Sequence, residues 1–152
     1  MVNESRIGIY EYIEGILTES VTENVYLMNE PQELTQSDVE EGFIVIRVGD
    51  LIDESEFSDE TFATARVFVE CYVPPITRGR LNKELYKKFE DDINAAISHA
   101  SKTDNKGTYW INPDSVISAD LGEDNNANNT YYMFVKSFIV EVDEADEEQI
   151  DN

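Results

Sequence analysis

The chain has 152 residues, 33 of them acidic and 11 basic, for a formal net charge of -22. That length suits one domain with a sizeable core, and 41% hydrophobic residues with eight Tyr and seven Phe exclude a wholly disordered acidic chain. The charge excludes a monomer that grips nucleic acid phosphates or docks on an anionic membrane, one Cys excludes an intrachain disulfide, and one His leaves little for a zinc site.

Residues 4–18 read as a first helix, with Ile9, Ile13, Ile16 and Leu17 at helical spacing. No basic leader or apolar run of about 20 residues accompanies it, so neither a secretory signal nor a membrane span is expected. Asn24–Met28 is a short β-prone run, and a polar connection leads to the β-branched segment Phe43–Val48. Residues 49–60 read as a long acidic loop. The next strand, Phe62–Val73, alternates, with Ala65, Val67, Val69, Cys71 and Val73 on one face and Arg66, Phe68, Glu70 and Tyr72 on the other. Pro74 and Pro75 end it.

Leu81, Leu85, Phe89, Ile93 and Ile97 form the stripe of a second, longer helix over 81–100. A turn at Thr103–Gly107 precedes two β-prone runs, Asp114–Leu121 and Thr130–Val142, joined by a soft loop over Gly122–Asn129. In the last run both faces are largely apolar and want cover, one from helices and the other from a neighbouring subunit. The expected architecture is α+β: a mostly antiparallel sheet packed against two helices, one domain over 1–142, and an acidic flexible tail over 143–152.

Signs of catalysis are sparse. Cys71 reads as a packed core thiol and His99 as a helix C-terminal cap; no nucleophile elbow, phosphate loop or zinc-helix motif is present. The acidic stretches lack the ligand spacing of a calcium loop, so no enzyme activity, metal or cofactor is expected. Charge distribution says more. Asp50, Asp53, Glu54, Glu56, Asp59 and Glu60 concentrate acid in one loop. Arg78, Arg80, Lys83, Lys87 and Lys88 place five of the eleven bases in one short stretch. Such patches suit head-to-tail contact between copies, which closes into rings when the rotation permits.

The order of segments resembles the tail-completion and tail-terminator (head–tail joining, neck) proteins of tailed bacteriophages. The resemblance rests on the N-terminal helix, the run Val25–Pro31, the strand Gly42–Ile46, the acidic loop and the alternating strand Ala65–Tyr72. The helix entry Gly79, Arg80, Leu81, Glu84 and Leu85, the helix end at Ile97 and the final strand Tyr132–Val142 complete it. It covers residues 5–142 and implies a non-enzymatic virion component, assembled in the host bacterial cytoplasm. That component forms a six-fold or twelve-fold ring at the head–tail junction or tail end, beside portal, connector or tail-tube proteins. On that resemblance the acidic loop lines the channel or reaches a neighbour, and DNA passes without specific binding. The basic patch lies between subunits, and Met133, Val135 and Ile139 belong to a face buried by assembly. A different class also suits the charge: an acidic DNA mimic that inhibits a basic partner protein.

Overall fold

A computed structural model describes residues 2–53, 63–77, 80–98, 101–104, 107–126 and 129–144. The elements are α1 (Val2–Ser20), β1 (Val25–Leu27), α2 (Gln36–Glu41), β2 (Phe43–Val48), β3 (Ile52–Asp53), β4 (Ala63–Val73), α3 (Lys83–Ser98), β5 (Ser101–Asp104), β6 (Gly107–Asn126) and β7 (Asn129–Glu144). They build one curled α+β sheet in the order β1-β2-β4-β7-β6-β5, with β3 paired to β4. β1 runs parallel to β2; the other pairs are antiparallel.

Ile9, Ile13 and Leu17 are fully buried along α1, and the Val21 and Thr22 N–H groups both donate to the Leu17 carbonyl where the helix ends. Phe89, Ile93 and Ile97 are the buried stripe of α3. Both helices lie on the face of the sheet formed by Ile44, Ile46, Val67, Val69, Cys71, Phe134, Phe138 and Val140. A second, smaller cluster of Phe43, Val45, Tyr72 and Tyr131 occupies part of the opposite face, with Tyr26, Leu34 and Met133 against it.

Among the described residues three helices are present where two are expected. The extra one, α2, is short enough to escape periodicity, but its start carries a reciprocal cap. The Asp38 N–H donates to Thr35 Oγ1 at 3.1 Å, and the Thr35 N–H donates to Asp38 Oδ2 at 3.0 Å. Gly42, at φ 86°, ends it against the Tyr72 carbonyl, where a Cβ has no room. The expected turn at Thr103–Gly107 falls between β5 and β6, which pair antiparallel as far as Asp104↔Gly107. The expected soft loop over Gly122–Asn129 is largely strand, because β6 stays paired to β7 as far as Asn126↔Asn129. Gly122, at φ 78°, sits at a register shift and lets the ladder continue through residues of poor β propensity. The β7 strand runs to Glu144, two residues past the expected domain boundary.

Candidate functional site

The helices cover one side of the sheet. On the other, the pairings set three rows across β2, β4, β7 and β6. They read Arg47, Phe68, Ser137, Ile117; Val45, Glu70, Val135, Ala119; and, one step along, Arg66, Ile139, Asn112. Among the described residues no helix packs on the middle of these rows: α1 and α3 join the opposite core, and Asp38 of α2 meets Tyr26 and Tyr131 near the second cluster. Phe68 is therefore 37% exposed and Ile117 61% exposed, with Val135 and Ile139 half-buried between them.

The polar groups of this belt differ from the chain as a whole. Arg47 Nε donates to Glu70 Oε2 at 2.9 Å, its NH1 donates to the Met28 carbonyl, and the bond to Glu70 raises its pKa above the ordinary guanidinium value. Arg66 NH1 donates to Ser137 Oγ at 2.8 Å and makes no ion pair among the described residues. Glu30 also acts on Arg47, and Glu141 lies on the same face in the Thr64 row, where it accepts from Trp110 Nε1 at 2.5 Å, so carboxylates match the two guanidinium groups around the belt.

The residues singled out in the sequence are distributed unevenly around it. Val135 and Ile139 are in the belt, whereas Met133 packs against the chain's own Tyr72 cluster. Asp50 is exposed at the end of β2, and Asp53 closes β3. Glu54, Glu56, Asp59 and Glu60 lie outside the described residues, as do Arg78 and His99. Arg80 is exposed, its N–H bonded to the Thr77 carbonyl at 2.9 Å. Lys83 is exposed at the start of α3. Lys87 and Lys88 are already engaged one turn along the helix, by Asp91 at 2.7 Å and Asp92 at 2.8 Å. That i, i+4 spacing is visible in the sequence and reduces the free part of the basic patch to its loop end. Arg66 and Phe68 were also readable, from the alternation of β4. Ile117 was not, because the shift between Asn112 and Ile117 hides its face.

Two polar clusters bear on chemistry. Lys136 interrupts the helix-side face of β7 and is only 5% exposed. Its Nζ donates to Ser118 Oγ at 2.6 Å and pairs with Glu90 Oε2 at 3.3 Å. A serine beside a lysine invites comparison with Ser–Lys nucleophile pairs. Here, however, the Lys136 amine is the donor and the hydroxyl the acceptor, and α3 supplies the carboxylate, so the cluster reads as a satisfied buried cation. Cys71, on the same face, is fully buried, and burial pushes its thiol well above the ordinary value.

The second cluster surrounds Asp38, which is fully buried. Its Oδ2 accepts from Tyr26 Oη at 2.6 Å, and its carbonyl accepts from Tyr131 Oη at 3.3 Å. Burial, and then the neighbouring Asp38 charge, push both Tyr26 and Tyr131 up to about 12. Among the described residues, no group of three metal-ligating side chains converges. A cleft of about 310 Å³ lined by Val21, Thr22, Glu40, Glu41, Leu85, Lys88 and Phe89 opens between the three helices. Its one lysine is already paired to Asp92. No helix among the described residues is long and apolar enough to cross a membrane. Comparison with protein-family models and with curated proteins finds no match to this chain.

Proposed function

We propose that this chain is a structural, non-enzymatic subunit of a homo-oligomeric ring at the head–tail junction or tail end of a tailed bacteriophage. Its neighbours would be portal, connector or tail-tube proteins. The observation that supports this reading most is the one-sided sheet: helices cover one face, while Phe68, Ile117, Val135 and Ile139 leave an apolar belt open on the other. An apolar strip in the middle of a sheet face is a surface that assembly would bury. The charge is consistent with this reading. A channel that lets DNA slide gains nothing from phosphate contacts, and carboxylates around a lumen repel the backbone over the about 8–10 Å that salt leaves unscreened.

Size-exclusion chromatography with light scattering tests this. The expected result is a six-fold or twelve-fold multiple of the chain mass, reduced in a salt-dependent way by Arg80→Glu with Lys83→Glu, the two described cations of the patch that no helix acid has taken up. A strict monomer at micromolar concentration that binds a basic protein would overturn the ring and favour the DNA-mimic reading.

A further inference from the structure

We infer that the open edge of β6 over Ile117–Glu123 is a docking site for an extended strand of another protein, one in which apolar and basic residues alternate. Elsewhere the chain closes its sheet. On the β1 side of β2, the Ile44 N–H donates to the Asn24 carbonyl at 2.9 Å and the Val48 N–H to Tyr10 Oη at 3.0 Å. β5 covers β6 only from Gly107 to Trp110. The stretch that follows is served from within: Pro113 has no N–H, and the Asp114 N–H donates to Asn112 Oδ1 at 3.0 Å. From Ile117 onward β6 is paired to β7 alone. Among the described residues no hydrogen bond reaches the backbone of Ile117–Glu123 from the other side, and every residue of that stretch is exposed. A row of unpaired N–H and C=O groups is a template for one more strand, and at about 3.3 Å per residue it offers about 23 Å.

The pairings say what that strand must carry. Ile117 and Ala119 lie opposite Ser137 and Val135, on the outer face of the sheet. Asp120 and Glu123 lie opposite Phe134 and Tyr132, two positions apart on β7, so the shift between Asp120 and Gly122 brings both carboxylates to the helix-side face. Each accepts from one tyrosine hydroxyl among the described residues, Asp120 from Tyr86 and Glu123 from Tyr132. No base occurs from Gly107 to Asn126. The described lysines of the flanking strands are engaged, Lys102 by Asp104 at 3.7 Å and Lys136 by Glu90 at 3.3 Å. The edge is therefore apolar on one face and acidic on the other. Its complement sets apolar side chains beside Ile117 and Ala119, and Lys or Arg beside Asp120 and Glu123.

The same acids select against a second copy of this edge. Two such edges joined in one continuous sheet set carboxylate beside carboxylate, which is destabilising. Self-pairing is disfavoured and a strand of opposite sign is favoured. The contact goes beyond the ring reading and does not depend on it.

Nuclear magnetic resonance of the full chain with a capped peptide of four Lys-Val repeats tests the inference. Binding should slow amide exchange within Ile117–Glu123 at least tenfold and leave the Val25–Leu27 edge unchanged. Two further peptides separate the causes. Four Glu-Val repeats should bind at least tenfold more weakly. So should the Lys-Val peptide with every backbone nitrogen methylated, which keeps the charge and loses the ladder. Asp120→Lys with Glu123→Lys, checked for folding by circular dichroism, should reverse the order and favour the Glu-Val repeats. If that variant does not fold, Asp120→Asn with Glu123→Gln should weaken the Lys-Val peptide at least threefold. No binding, a methylated peptide that binds as well as its parent, or protection confined to another part of the chain overturns the inference. So does an unchanged preference in the charge variants. Light scattering on the same samples reads the ring separately: a monomer that shows this protection overturns the ring and supports the contact.

Discussion

The pair Lys136–Glu90 is buried unequally, and the two halves should respond differently to removal. The lysine side chain is 6% exposed and the glutamate side chain 36%, with 3.3 Å between the charged atoms. At an effective dielectric of 20 their attraction is about 5 kcal/mol, which is close to the several kcal/mol needed to dehydrate a buried ammonium. Lys136→Met removes both terms, and Glu90, already at the surface, turns to water. The expected change is within about 1 kcal/mol. Glu90→Ala leaves the ammonium buried with only Ser118 as acceptor and should cost about 2–4 kcal/mol, although Ala is the better helix former in α3. The double variant should match Lys136→Met alone. Urea denaturation measures each ΔG, and the thermal midpoint of Glu90→Ala should fall by about 5–15 °C. Equal losses for Lys136→Met and Glu90→Ala, or a harmless Glu90→Ala, would refute the reasoning.

Two glycines of α1 should give opposite signs. A Cβ on Gly8 runs into the Tyr109 hydroxyl, and that ring is held by stacking on Tyr12 at 5.7 Å; Gly8→Ala should therefore cost about 1–3 kcal/mol. Nothing lies within 4 Å of a Cβ on Gly15, so Gly15→Ala should stabilise by up to about 1 kcal/mol, both read from urea midpoints. Alkali should also loosen the fold around Asp38. Tyr26 and Tyr131 have folded pKa values raised from 10.0 to about 12, so their contribution is complete below pH 10 and is lost as pH rises toward 12. The urea midpoint should fall between pH 10 and pH 12, and Tyr26→Phe should flatten that fall; an identical slope in the variant would refute the assignment.

Much of the helix-side core was legible because it follows one rule at a time. The stripe Ile9, Ile13 and Leu17 and the stripe Phe89, Ile93 and Ile97 repeat at helical spacing, and β4 alternates without interruption. What escaped depends on partners distant in sequence. Lys136 looks like a flaw in β7 until Glu90 and Ser118 are brought to it from α3 and β6. Residues 122–126 look like a loop until β7 supplies a ladder for them. α2 rests on a cap rather than on periodicity, and its buried Asp38 is intelligible only once Tyr26 and Tyr131 donate to it. For the belt, the β4 half was available from alternation. The β6 half was not, since two irregularities decide which residues face outward.

The place of β7 in the sheet also bears on how the chain is made. The last strand in sequence is central in space, paired with β4 along eleven positions from Ala63↔Val142 to Val73↔Tyr132. At synthesis rates of about 5–20 residues per second, β4 waits several seconds for its partner. Until then Val67 and Val69 have no neighbouring strand on that side, and the growing polypeptide carries an open edge and an uncovered apolar surface. Folding therefore cannot be completed piecemeal from the N-terminus. A chain interrupted before residue 130 is not a smaller version of this domain but a sheet missing its middle, a natural substrate for chaperones and proteases.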